Sequence, residues 1–219
     1  MTPVEIAVQR IKGAGGKLVR GKWEVEGDLD LSHLNLTELP PMRKIGGGFF
    51  CGYNQLTSLE GAPEKVGGGF YCHDNQLTSL AGAPKKVGGD FFCHDNQLTS
   101  LEGAPKEVGG GFYCDNNQLT SLAGAPEKVG GDFYCSNNQL TSLEGAPKEV
   151  GGSFYCDDNQ LTSLEGAPKK VGGNFYCGDN PLPRGTTYKG WLTEQATTSL
   201  GDSTPQFCAR CSALLQRAK

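Results

Sequence analysis

Nowhere does the sequence run to 18 consecutive apolar residues, so a membrane-crossing helix of ordinary length is excluded. The opening Met-Thr-Pro-Val-Glu-Ile-Ala-Val-Gln-Arg lacks the apolar centre of a secretory signal, and a cytoplasmic location is expected. Positive charge is scarce: 20 Lys and Arg face 24 Asp and Glu, a formal net charge of -4. Phosphate backbones need a basic face; none is expected on the strands described below, which argues against nucleic acid as a partner. Signatures of catalysis are missing as well. No Gly-rich phosphate loop opens a helix, no nucleophile elbow is present, and no unrepeated buried carboxylate pair is expected. The expectation is a non-enzymatic protein without cofactor or resident metal.

What the chain has in abundance is glycine, 33 of 219 residues, and the reason is repetition. Asn54, Asn75, Asn96, Asn117, Asn138, Asn159 and Asn180 follow one another at a constant step of 21, and the leucines from Leu56 to Leu182 keep the same beat. A fixed period of this size signals stacked units that cover one another's apolar faces. In Gly69-Phe70-Tyr71-Cys72-His73 side chains alternate across a strand, which sends Phe70 and Cys72 inward and Gly69, Tyr71 and His73 outward. The asparagine after each strand carries two amide donors and a carbonyl acceptor, suited to bonding the backbone of neighbouring units. Gly-Gly before the strand and Gly-Ala-Pro after the leucines mark turns. A unit this short has no room for a helix beside its strand.

The pattern Phe-x-Cys-x-x-Asn-x-Leu-x-x-Leu, with Phe70, Cys72, Asn75, Leu77 and Leu80 on its marked positions, resembles the leucine-rich repeat. Phe and Cys replace the two strand leucines, and Val66 takes the filling role beside the turn. The wording G-G-x-F-x-C-x-x-N-x-L-T-S-L-E-G-A-P is also similar to short repeats of bacterial and bacteriophage proteins. The resemblance implies a leucine-rich-repeat-like solenoid with one parallel β-sheet on its concave face, an extended, turn-like convex side, and helical caps at both ends.

Residues 1–26 read as the N-terminal cap. Thr2 as N-cap, Pro3 at the first helical position and Glu5 completing a capping box open a helix, Val4, Ala7, Val8 and Ile11 share one face, and Gly13 closes it. Lys17 to Glu26 alternates in the manner of a short strand pair. Residues 27–184 form the solenoid, one degenerate unit (Leu29, Leu31, Leu36, Leu39, with Leu34 in the asparagine column and His33 on the strand) plus seven units of 21. Residues 185–219 change text: helices are expected over Thr187–Ala196 and from Thr204 onward, as a cap or docking tail. Nine cysteines are present, of which Cys51, Cys72, Cys93, Cys114, Cys135, Cys156 and Cys177 form one inward column and read as small hydrophobes in a reducing compartment. Cys208 and Cys211 form a C-x-x-C with no second ligand pair, best explained by helix packing.

The candidate site is the outward column Phe50, Tyr71, Phe92, Tyr113, Tyr134, Tyr155 and Tyr176, which the resemblance places on the concave face as one exposed stripe. Asp90 and Asp132 flank it on one side, and His73, His94, Asp115 and Asp157 on the other. These flanking positions vary from unit to unit while the framework does not. Stacked rings also simply stabilise adjacent strands, but an apolar stripe on an outer surface calls for a cover. His73 and His94, with Asp74 and Asp95 nearby, carry donors suited to a divalent ion; solvated surface residues are the simpler account. The Lys and Glu pairs before each valine read as solubilising charge on an edge loop. The resulting expectation is a module that binds a basic or mixed-charge protein, away from membranes and nucleic acid. The alternatives are a structural or assembly part, and a binder of a periodic ligand such as a glycan or ice, for which the Thr57, Thr78 and Thr99 column would serve.

Overall fold

The computed structural model describes residues 1–189. The expected tail helices, apart from their first three residues, and the Cys208–Cys211 pair lie outside that range. From Thr2 the chain enters the helix Pro3–Gly13 through a complete capping box: the Glu5 amide donates to Thr2 Oγ1 at 3.2 Å and the Thr2 amide to Glu5 Oε2 at 2.8 Å. The helix ends at Gly13, as expected, with the amide of Ala14 on the Arg10 carbonyl and Gly15 following at φ +75°. Ala7 and Ile11 are fully buried, and Arg10 donates to the carbonyls of Asp30 and Ser32. The helix therefore packs on the first rung. Strands Lys17–Val19 and Lys22–Val25 form an antiparallel hairpin through Arg20 and Gly21, both at positive φ. The second of them then pairs in parallel with Met42–Ile45.

From there the chain climbs as a solenoid of parallel rungs. Phe49–Phe50, Phe70–Tyr71, Phe91–Phe92 and their successors up to Phe175–Tyr176 form an eight-stranded sheet that begins with Leu29–Asp30. Its register is exact, Phe112 opposite Phe91 on one side and Phe133 on the other. Phe goes inward at every rung and is essentially inaccessible from Phe49 to Phe154; its neighbour faces out. Inside, the phenylalanines form one continuous column, with ring centroids 5.1–5.5 Å apart. At the C-terminal end Tyr188 extends this column, 4.2 Å from Phe175, and its hydroxyl donates to the Pro168 carbonyl at 2.6 Å.

The asparagine column joins unit to unit. Asn75 donates through Nδ2 to the carbonyl of Cys51 in the preceding unit (3.0 Å) and to those of Cys72 and His73 in its own, while its Oδ1 accepts the Leu56 amide at 2.9 Å. The same set recurs at Asn96, Asn117, Asn138 and Asn159. In the degenerate unit Leu34 occupies this position, and Asn54 alone accepts the amides of both Leu34 and Leu36. His33 stands beyond the short strand, in a left-handed conformation at φ 57°, rather than on the strand itself.

A second sheet accompanies the first. The dipeptides Lys65–Val66, Lys86–Val87, Glu107–Val108, Lys128–Val129, Glu149–Val150 and Lys170–Val171 are strands, stacked in parallel and continuous with the N-terminal hairpin in a nine-stranded sheet. The charged residue before each valine is thus a strand residue and not part of an edge loop. Across adjacent rungs Lys86 meets Glu107 at 2.5 Å and Lys128 meets Glu149 at 3.2 Å; as exposed pairs each is worth about 0–1 kcal/mol. The two charged columns ending at Lys169 and Lys170 hold eight lysines against four glutamates over six rungs. This side of the solenoid therefore carries mixed charge with lysine in excess. Between the sheets the Gly-Gly corner is obligatory, because a Cβ on Gly109 would run into the Gly88 carbonyl of the rung before.

Cysteine occupies the second inward position because that space is small and a carbonyl lies within reach: Cys114 Sγ donates to Tyr134 O at 3.1 Å and Cys135 Sγ to Tyr155 O at 3.3 Å. Burial pushes the thiols of Cys93, Cys114 and Cys135 well above their ordinary range. Since the thiolate is the nucleophile, these three will resist alkylation in the native protein and react once it is unfolded. Mass spectrometry after a short iodoacetamide pulse reads the result.

Candidate protein-interaction surface

Each outward ring follows an inward phenylalanine by one residue, so strand alternation delivers the whole column to one face. Phe50, Tyr71, Phe92, Tyr113, Tyr134, Tyr155 and Tyr176 stack face to face, with centroid separations of 4.0–5.0 Å and interplanar angles no greater than 19°. The rungs set this spacing, since parallel strands lie about 4.8 Å apart. One consequence departs from the expected exposed stripe. Ring faces are covered by neighbouring rings, every member is half-buried, and what reaches solvent is a row of ring edges and tyrosine hydroxyls. Burial is the largest cause of the upward-shifted phenol pKa of Tyr71 and Tyr113, reinforced by Asp90. Tyr134 is raised too, by burial and then by a hydrogen bond with Tyr155.

The flanking carboxylates are less free than their positions suggest. Asp90 Oδ1 accepts the amide of Gly111 at 2.7 Å, Asp132 Oδ1 that of Ser153 at 2.7 Å, and Asp157 Oδ1 that of Gly178 at 2.8 Å. Asp28 Oδ1 takes the Gly48 amide, and Ser153 Oγ the Asn174 amide, in the same manner. Where the unit has glycine instead, the aromatic ring occupies the space: a Cβ on Gly111 would meet the Tyr113 ring at 2.7–2.9 Å. Variation in the column of Asp90, Gly111, Asp132 and Ser153 therefore includes two ways of filling one position, a side-chain oxygen that ties the next rung or a ring folded over glycine.

At the N-terminal end of the face the imidazoles of His73 and His94 stack at 4.7 Å, and each Nδ1 lies against the following aspartate, 2.9 Å to Asp74 Oδ2 and 2.6 Å to Asp95 Oδ2. Asp115 occupies the next rung of that column; burial raises its carboxyl pKa and His94 acts in the opposite direction. Tyr53, which sequence reasoning passed over, joins this group, stacked on His33 at 4.4 Å and edge-on to His73 at 5.0 Å. It is half exposed and sits at φ 53°. The signal was present: the equivalent residues in later units are Asp74, Asp95, Asn116, Asn137, Asp158 and Asp179, types that enter the left-handed region more readily than a bulky ring.

No protein-family model and no curated protein matches the chain. Among solved structures, it is similar to YopM, a leucine-rich effector protein from Yersinia pestis. The TM-score is 0.57 and the identity 25%, over 82% of this chain and 49% of that one. The chain is a leucine-rich-repeat-like solenoid. A second similar structure, YopM from Yersinia enterocolitica WA-314, has a TM-score of 0.52 and 22% identity over 81% of this chain and 42% of that one. The chain thus spans less than half the length of either. In its units Phe and Cys stand on the strand leucine positions and the aromatic column occupies the outward position between them, while the solenoid's other side carries the valine sheet.

The carboxylate ties can be measured directly. Replacing Asp132 with Ala removes one charge-assisted bond to the Ser153 amide and will lower stability by about 1.5–3 kcal/mol. In a chain of this size that is a fall of roughly 2–4 °C in melting temperature per kcal/mol. Asp132→Asn, which keeps an acceptor, will recover part of the loss in the same calorimetric scan.

Proposed function

We propose that this protein works by binding another protein, holding a basic or mixed-charge partner on the aromatic face of the eight-stranded sheet, without catalysis of its own. The observation that carries this reading is the unbroken row of seven ring edges, five of them carrying hydroxyls, beside carboxylates and spread across a sheet with exact register. Aromatic residues presented with little conformational freedom make efficient contact anchors, and carboxylates beside them steer a basic partner. Its likeness to leucine-rich solenoids supports protein interaction in general. The similar protein from Yersinia pestis is described as an effector, and together with the bacterial and bacteriophage wording of the repeats this makes a host protein the partner class we favour. Reduced, buried cysteines suit a reducing compartment such as cytoplasm.

The test compares the protein with its Tyr113→Ala/Tyr134→Ala/Tyr155→Ala variant, measuring calorimetric stability and affinity for the host protein that the unmodified chain retains. The reading expects binding to fall by about 2 kcal/mol or more for each central anchor, far beyond the cost to the stack, which is roughly 0.5–1.5 kcal/mol per ring pair. A destabilised variant that binds at full strength would show that the rings serve the sheet alone.

A further inference from the structure

Histidine occurs three times in the chain, and two of the three occupy one column in consecutive units, where the other units carry glycine, aspartate or serine. Their rings are parallel within 3° at 4.7 Å, and their side chains are only 18% and 24% exposed. Each is followed by an aspartate that engages its Nδ1. One donor atom from each of His73, Asp74 and His94 lies within 4.8 Å of the others. We propose that His73, Asp74 and His94 form a binding site for a divalent first-row transition ion, with zinc as the expected occupant.

The donor chemistry selects that class. Two imidazole nitrogens with one carboxylate suit zinc, nickel or copper, whereas calcium and magnesium prefer all-oxygen shells. An ion held at about 2.0–2.2 Å by each ligand sets neighbouring donors about 3.3 Å apart in a tetrahedron. His73 Nδ1 and Asp74 Oδ2, at 2.9 Å, are already near that bite. The three donor atoms lie within 4.8 Å of one another, so His94 must approach for all three to reach one ion. Coordination takes the Nδ1 lone pair of an imidazole, and the ring's single N–H then sits on Nε2. Three protein ligands leave a coordination position open. Asp95 and Asp115 add negative charge around the site, offsetting that of the cation. The inference does not depend on the proposed protein partner, because the ion is tested alone.

The experiment uses the full untagged chain with Cys208→Ser and Cys211→Ser, which removes the tail thiols as competing ligands. Zinc chloride is titrated calorimetrically, and cobalt absorption reports the ligand geometry. The proposal expects one ion per chain at micromolar concentration and a tetrahedral cobalt spectrum. It also expects affinity to fall by about tenfold or more in His73→Gln and in His94→Gln, each confirmed as folded by circular dichroism. Absence of stoichiometric binding, unchanged affinity in both histidine variants, or equal affinity for calcium would each overturn it.

Discussion

A buried asparagine side chain, shared between two units, is the interaction on which this solenoid depends. With two-residue strands and no helices between them, the backbone on each turn leaves polar groups inside the stack that neither water nor a local helix can satisfy, and buried groups of that kind must be paired. Asn75, Asn96, Asn117, Asn138 and Asn159 each bond the preceding unit through both Oδ1 and Nδ2, and no buried side-chain nitrogen or oxygen among the described residues is left without a partner. Stability of this kind is nearest-neighbour stability. The phenylalanine column, the two hydrogen-bonded ladders and the aspartate ties to the next rung all act over the same single step.

That economy explains how a functional face arises. A fixed rung forces identical positions into register, so any outward aromatic becomes a stack and any outward charge a column. On the Phe–Tyr sheet the result is a half-buried row of rings edged by carboxylates; on the valine sheet it is a ladder of mixed charge with lysine in excess. The two sides of one molecule thus present different chemistry. Departures from the repeat, such as Tyr53 and the His73–His94 pair, gather at its N-terminal end and give that end a character the later units lack.

Much of this was legible in the period of 21. The inward Phe and Cys, the leucines, the asparagine ladder and the capping box at Thr2 and Glu5 all follow from spacing and residue type. The valine sheet was not, because a two-residue strand carries no periodicity of its own, and only the stacking of units reveals Lys128 and Val129 as a strand. Asp90 and Asp132 stand in the sequence as acidic margins of the stripe, and nothing in a linear sequence shows that a carboxylate lies 2.7 Å from an amide 21 residues later. Half-burial of the aromatic column was hidden for the same reason: each ring is covered by the corresponding ring of the neighbouring unit.

If each unit is held by its neighbours alone, one whole unit is dispensable. Deleting residues 109–129 joins Val108 to Gly130 and preserves every column of the repeat. Calorimetry on that shortened chain is the most direct measurement, and the account predicts a folded protein with a single cooperative transition and a modestly lower unfolding enthalpy. A chain that fails to fold, or melts without cooperativity, would show that the stack relies on contacts longer than one step and would contradict it.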